Sequence, residues 1–338
     1  MPRSRTPALL LATPYLADAN NGNWRTAARW ARLLSPSYRV IVQAAAAEVT
    51  EAKAADALAL IALHARRSHP AIAAWRDAHP ERALIVAMTG TDLYRDLPAG
   101  DAATRASLAM ADRLLVLQSE AVHALPAAMR AKARVVFQSA RTLVPWPHKS
   151  SHRLHCVLVA HLREEKDPAT AFAAWRLLPR DVPATLTIIG AALDPALGRA
   201  ARDLAAADPR VQWVGPREHS WTRQAIKRAH LLVIPSHMEG GANVVVEAIT
   251  SGTAVLGTRM AGNVGMLGDD YPGYFTVGTP AELASLVQRA ACDRAFLRKL
   301  ESRCRRRAHL FTPLAETRGL LAVVNEARSL HGIRMGVY

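Results

Sequence analysis

Two carboxylates, Glu239 and Glu247, stand either side of Gly240-Gly241-Ala242-Asn243-Val244-Val245-Val246. The run Leu231–Ile234 is apolar and strand-like, Pro235-Ser236-His237-Met238 connects, and a helix opens near Asn243. That order sets backbone N–H groups and the positive end of a helix dipole at the carboxyl end of a strand, a place suited to phosphate. The glycines allow close backbone approach. Carboxylates are poor phosphate ligands but good acceptors for sugar hydroxyls. A loop offering both kinds of group suits a nucleotide-sugar; a plain turn followed by a solvated glutamate is the alternative.

A second loop carries the complementary charge. Val157-Leu-Val-Ala-His-Leu-Arg-Glu-Glu-Lys-Asp167 reads as strand, loop and helix start, with Asp167 as N-cap and Pro168 at the first helical position. Arg163 and Lys166 are two cations at the carboxyl end of a neighbouring strand, able to clamp a diphosphate and stabilise it as it departs. The alternative is a surface charge cluster, since Glu164 and Glu165 lie between them.

The elements that must position these loops alternate strand and helix, the pattern of parallel α/β sheets. In the first half, strands are expected near Leu9–Thr13, Arg39–Gln43, Ala59–His64, Leu84–Thr89, Leu114–Leu117 and Val135–Phe137. Helices are expected near Trp24–Leu34, Ala71–Ala78 and Thr104–Met110, with Trp30 in the core. Leu143-Val-Pro-Trp-Pro-His148 breaks the period and marks a linker, 143–152. The second half repeats the logic, with strands near His155–Ala160, Thr185–Ile189, Val211–Val214, Leu231–Ile234 and Ala254–Thr258 and helices after Pro280. The expected domains are 1–142 and 153–312, each with its own core.

Composition narrows the class. Half the 338 residues are apolar and 21% are charged, as in a folded globular chain. No apolar run approaches the ~20 residues needed to span a bilayer. Residues 1–13 read as a first buried strand rather than a signal segment. Three cysteines, Cys156, Cys292 and Cys304, show no paired spacing, which argues against a disulfide framework and suits a cytoplasmic protein. His148, His152 and His155 are read as connector histidines, and no metal is expected. The net charge of +15 is spread over both halves, 19 basic against 11 acidic residues in 1–150 and 24 against 17 in the remainder. Arg294–Arg307 is a basic, helical stretch that could meet an anionic membrane surface. No zinc-finger, RNP or basic-zipper pattern accompanies it, so nucleic acid is not an expected partner. Anionic small substrates account for the sign of the charge more simply.

Taken together these motifs resemble a known family. Arg163…Lys166 followed by Glu239-x7-Glu247 is similar to the donor half of retaining GT4-type glycosyltransferases. The further segments Asn20-Asn-Gly-Asn-Trp-Arg-Thr-Ala-Ala-Arg-Trp30, Ala62-Leu-His-Ala-Arg-Arg-Ser68, Thr89-Gly-Thr-Asp-Leu-Tyr-Arg-Asp96, His161-Leu-Arg-Glu-Glu-Lys-Asp-Pro168, Met238-Glu-Gly-Gly-Ala-Asn-Val-Val245 and Gly262-Asn-Val-Gly-Met-Leu-Gly268 resemble one branch, the selenosugar synthases of selenoneine biosynthesis.

The resemblance implies an α/β GT-B fold, two Rossmann-like domains with parallel sheets facing across a cleft. It implies a last helix, within 313–338, that returns to the first domain. On the donor side it implies Glu247 on the ribose hydroxyls and Glu239 near the sugar ring. Amides of Gly240, Gly241, Ala242 and Asn243 would meet the diphosphate or sugar, and Arg163 and Lys166 the leaving group. On the acceptor side it implies loops carrying Asn20, Asn21, Gly22, Asn23 and Arg25, then His64, Arg66 and Arg67, then Thr89, Gly90, Thr91 and Asp92. Asn23 also suits the N-cap of the following helix.

Many GT4 enzymes carry a His before the Asp of that last loop; this chain has Gly90-Thr91-Asp92. A hydroxyl acceptor must lose a proton in the transition state. Selenophosphate is already anionic at selenium. The implied reaction is therefore hexosyl transfer, from UDP-N-acetylglucosamine, to the selenium of selenophosphate, with UDP-sugar as donor substrate and no cofactor or metal. His64 is the one residue placed to supply a base from elsewhere. The runner-up is an ordinary GT4 hexosyltransferase acting on a lipid-linked or saccharide acceptor.

Overall fold

The computed structural model describes residues 6–14, 22–45 and 56–332. It divides into two compact units: residues 1–138 with 313–338, and residues 139–312. The segment expected as a linker, 143–152, belongs with the second unit. Within that unit Leu143 N–H donates to the Thr250 carbonyl and Lys149 Nζ to the Gly252 carbonyl.

The first unit is built on six parallel strands. In chain order they are β1 (Ala8–Thr13), β2 (Arg39–Ala44), β3 (Ala57–Leu63), β4 (Ala83–Ala87), β5 (Arg113–Val116) and β6 (Ala133–Val135), arranged β2-β1-β3-β4-β5-β6. β1 and β4 are buried along their whole length, so they read as continuous apolar runs rather than as alternation. The expected strand at Val135–Phe137 forms two residues earlier. Val136 still donates its N–H to the Val116 carbonyl at the strand's end.

Helix Gly22–Leu34 covers one face of this sheet with Thr26, Ala27, Trp30 and Leu34. Trp30 is fully buried, and its indole N–H donates to Glu316 Oε1 at 2.7 Å. Arg29 completes the pair on the same carboxylate at 2.9 Å. Glu316 lies on helix Pro313–Gly332, whose Leu320, Val323, Val324 and Ala327 pack into the same core cluster as β1 and β3. The final helix is thus an integral part of the first unit.

The second unit repeats the plan with β7 (Leu154–Val159), β8 (Ala184–Ile189), β9 (Val211–Trp213), β10 (Leu231–Ile234), β11 (Ala254–Thr258) and β12 (Tyr274–Phe275). The order is β12-β11-β10-β7-β8-β9, all parallel. β12 has two residues and lies beside Pro272-Gly273; nothing in its sequence announces a strand. Cys156 is buried on β7, as expected. His155, read as a connector residue, is also on β7, where its Nδ1 meets Thr185 Oγ1 at 2.8 Å. Arg294–Arg307 is helical, and its buried Phe296, Leu297, Leu300 and Cys304 form a core stripe beneath the basic face.

The His155–His230 pair gives this unit a defined acid sensitivity. The rings stack at 5.6 Å. His230 Nδ1 accepts the His155 N–H at 2.9 Å, and His230 Nε2 meets the Ser150 carbonyl at 3.0 Å. This set needs a neutral ring with its proton on Nε2. Burial pulls the His230 pKa down from 6.5 to about 4. A folded pKa below the unfolded one contributes stability that is fully present above about pH 6.5 and is lost as pH falls toward about 4. His230→Gln is expected to flatten the pH dependence of the urea midpoint between those limits, by an amount equivalent to about 3 kcal/mol. An unchanged profile would remove His230 from the acid response.

Candidate functional site

In the second unit, the loops that follow β7, β8, β9, β10 and β11 lie at the carboxyl edge of one parallel sheet, where such sheets bind ligands. Lys166 and Glu239 meet there: Lys166 Nζ donates to Glu239 Oε1 at 2.6 Å. The same oxygen accepts from Ser236 Oγ at 2.7 Å. Glu239 is 7% exposed, so this carboxylate is held by short charge-assisted bonds with little water around it. Asp167 caps helix Pro168–Leu177 through Thr170 N–H, as expected from sequence, with Pro168 in the first turn. Its φ of +42° puts it in the left-handed region, strained for a residue with a side chain. His237 clasps the two loops together, donating its N–H to the Glu165 carbonyl and setting Nε2 2.8 Å from Asp167 Oδ2.

Glu247 sits within helix Asn243–Ile249 and is 8% exposed. Its Oε1 lies 2.6 Å from His219 Nε2. Its backbone carbonyl accepts from the buried Arg223 guanidinium, which also reaches the Arg141 carbonyl. His219 and Arg223 both belong to helix His219–Arg228. Arg163 is more open, with Glu165 at 3.7 Å. Gly240 and Gly241 lead into Ala242, whose N–H points at Met266 Sδ, 3.3 Å away, and Asn243 is the first residue of the helix. The structure therefore brings Lys166, Glu239 and the Gly-Gly turn together, with Glu247 a short helix away and Arg163 at the rim.

One glycine of this assembly is dictated by contact. A Cβ on Gly262 would overlap the Glu239 carbonyl oxygen. Helix Ala261–Leu267 thus lies directly against the Glu239 backbone and fixes its height above the sheet. Gly262→Ala is expected to displace that carbonyl and weaken binding of the nucleotide-sugar expected from the sequence at least tenfold with little change in secondary structure. Unchanged donor affinity, by equilibrium dialysis, would show that the loop moves freely without consequence.

His219, His237, Ser236 and Arg223 escaped the sequence reading. Each is a single polar residue in an ordinary setting, and its partner is distant along the chain. Gly262 had been noted only as part of a longer motif.

In the first unit, Asp92 is the organising group. Its Oδ1 lies 2.6 Å from His64 Nδ1 and accepts the Arg66 N–H at 3.2 Å. Its Oδ2 accepts Thr89 N–H at 2.8 Å and Thr89 Oγ1 at 2.9 Å. Asp92 is fully buried. His64 Nε2 in turn meets Thr91 Oγ1 at 3.1 Å, and His64 is 3% exposed with φ +71°. Among the described residues, His64 and Asp167 are the non-glycine positions in the left-handed region, and both lie in the predicted loops. Gly90 and Thr91 run into a single π-helical turn, Asp92–Asp96, a geometry often found at functional sites.

The Arg66 side chain is paired with Asp96 and Asp101, both at 3.3 Å. Helix Gly22–Leu34 begins one residue before its expected cap, so Asn23 lies in the first turn and does not cap it; Thr26 Oγ1 donates to the Gly22 carbonyl at 2.9 Å. Arg25 is half-buried on that first turn. Asn20 and Asn21 lie outside the described residues. His64, Asp92 and Asp96 bring ligand-type atoms within 4.8 Å of one another, the one such group among the described residues. The Asp92 oxygens accept three protein hydrogen bonds, with His64 Nδ1 2.6 Å from Oδ1, and two guanidiniums, Arg66 and Arg95, both pair with Asp96 Oδ1. The buried Asp96 Oδ2 has no hydrogen-bond partner among the described residues.

Residues 147–310 match the family model of glycosyl transferases group 1. No curated protein sequence matches the chain. Solved structures share its fold throughout. HepE of Anabaena, in complex with UDP and glucose, superposes with a TM-score of 0.73 at 15% identity, covering 94% of this chain and 99% of that one. Sucrose-phosphate synthase from Thermosynechococcus elongatus gives 0.76 at 15% identity, covering 96% and 100%. A glycosyltransferase from Rickettsia africae gives 0.74 at 11%, covering 96% and 99%. The two six-stranded parallel sheets are those of the GT-B architecture. Among the described residues no helix is long and apolar enough to cross a membrane.

Proposed function

We propose that this chain, a GT-B glycosyltransferase whose second unit carries the group 1 domain, transfers a hexosyl group from a UDP-sugar to the selenium of selenophosphate. The observation that carries the choice of acceptor is the state of the Thr89-Gly-Thr-Asp92 loop. Asp92 accepts three hydrogen bonds, from the Arg66 and Thr89 N–H groups and the Thr89 hydroxyl, and Gly90-Thr91 stands where many GT4 enzymes carry a His before this Asp. A hydroxyl acceptor must lose a proton in the transition state. An acceptor whose nucleophilic atom already bears the charge need not. The likeness of the Asn-rich segment Asn20–Trp30 combined with Thr89-Gly-Thr-Asp92 to selenosugar synthases supports the same reading, as does the excess of basic residues.

The donor side follows from the second unit. HepE binds UDP, and the complex with UDP-glucose has the same fold. In this chain Glu247 holds the ribose hydroxyls, and the turn Gly240–Asn243 presents amides to the diphosphate and sugar. Lys166 and Arg163 neutralise the leaving group. Selenium attacks C1 of the hexose, the C1–O bond to the diphosphate breaks, and UDP carries away the electron pair. Water then cleaves the P–Se bond, giving orthophosphate and the 1-selenosugar.

The test is incubation with UDP-N-acetylglucosamine or UDP-glucose, with selenophosphate, a polyprenyl phosphate or a free saccharide as acceptor. Mass spectrometry should find UDP release coupled to a selenium-bearing hexose. UDP release coupled only to the lipid or saccharide acceptor would replace this reading with that of an ordinary hexosyltransferase.

A further inference from the structure

We propose that the second unit holds a separate binding pocket for a phosphorylated planar ring, set between helix His219–Arg228 and the face of β7, β8 and β9. The pocket measures about 870 Å³, the size range of small-molecule sites. Its floor is three registered positions, Val157, Thr187 and Gln212, on adjacent strands. Its roof is the helix, which contributes Ser220, Trp221, Gln224, Ala225 and Arg228. None of the Gly-Gly turn, Arg163, Lys166, Glu239 or Glu247 lines it.

Charge and shape define the occupant. Lys149, Arg217 and Arg228 line the pocket, and no carboxylate does. Two indoles stand at its walls. Trp146 lies beneath Lys227 Nζ at 5.6 Å and the Arg228 guanidinium at 5.1 Å, and Trp221 beneath Arg217 at 5.3 Å. Trp221 is 44% exposed, a large apolar surface left open in a water-accessible groove. A planar ring stacks on an indole face while a phosphate meets the guanidiniums beside it. Thr187, Gln212 and Gln224 supply hydrogen-bonding groups for ring edges. Lys149 is mostly enclosed and its pKa is pulled down to about 8, so an anion beside it replaces solvation it has lost.

The same helix separates this pocket from the candidate donor site. Helix positions 220, 221, 224, 225 and 228 face the pocket, whereas His219 and Arg223, four apart, hold Glu247 on another face. The two sites should therefore fill independently.

The experiment titrates the whole chain with AMP and with FMN by calorimetry, alone and with saturating UDP, with inorganic phosphate as a third probe. The expected result is micromolar to sub-millimolar binding of at least one ringed phosphate that persists with UDP present. Affinity should fall at least tenfold in both Trp146→Ala and Arg228→Gln, while UDP affinity stays within twofold. Phosphate alone should bind at least tenfold more weakly. Displacement at the UDP concentration that half-fills the donor site, together with loss of UDP affinity in Trp146→Ala and Arg228→Gln, would make the pocket part of the donor site and overturn the proposal. Failure of both AMP and FMN to bind, equal affinity for bare phosphate, or unaltered binding in both variants would also overturn it. The selenium-transfer assay does not enter this test, so the two readings stand or fall separately.

Discussion

Lys166→Ala is expected to lower kcat about 10²–10³-fold, the loss typical of removing one preorganised group that stabilises developing charge. Lys166 is the cation already seated in the candidate site, 2.6 Å from Glu239 Oε1, with its side chain only 22% exposed. In hexosyl transfer, negative charge grows on the departing diphosphate, and a fixed cation beside it acts more strongly in the transition state than in the ground state. The loss should thus fall on kcat more than on KM. Glu239 keeps the Ser236 hydroxyl at 2.7 Å when the ammonium is gone, so the loop retains one of its two ties. Steady-state UDP release, with circular dichroism and a melting curve on the same samples, separates chemistry from folding. Turnover within threefold of wild type in a folded variant would remove Lys166 from the mechanism. Arg163→Ala is expected to act in the same direction and less strongly, because Arg163 is an exposed group whose nearest carboxylate lies at 3.7 Å.

Asp92→Asn should show the opposite profile: a large loss of stability. The carboxylate accepts from the Arg66 and Thr89 N–H groups and the Thr89 hydroxyl and lies 2.6 Å from His64 Nδ1, with no exposed surface. An amide has one acceptor oxygen, and its NH2 would face donors. Two or more buried donors would lose their partner, at about 1–3 kcal/mol each. The resulting destabilisation, about 2–4 kcal/mol, is a large share of a domain's net stability. Urea unfolding of wild type and variant gives the number directly. A midpoint within error of wild type, together with lost activity, would make Asp92 a catalytic group rather than the organiser of its loop.

Local chemistry is the part of this fold most legible in the sequence. Asp167-Pro168 announced its own helix start because an N-cap and a fixed φ act within one turn, and the structure has both. The parallel strands were legible because burial on both faces leaves unbroken apolar runs. Asn23 was misplaced as a cap because a helix start can shift by one residue where glycine precedes it, and Gly22 begins the helix instead. His155 stands at the start of the strand expected at His155–Ala160, and only the sheet shows its pairing with Thr185 on β8.

What the sequence by itself determined is the alternation of strands and helices, the two loops bearing Arg163…Lys166 and Glu239…Glu247, and the absence of a His ahead of Asp92. Those are properties of neighbours along the chain, set by local sterics, periodicity and charge. Only the tertiary structure decided that Lys166 closes on Glu239 across 73 positions, that His219 reaches Glu247, and that Asp92 gathers three donors and lies against His64. It also decided that Gly262 is required by the Glu239 carbonyl, and that two tryptophans and three cations border one open groove. The physical reason is that parallel strands are joined by long crossovers. The sheet order brings together loops that are remote in sequence, and no local propensity encodes which of them will meet.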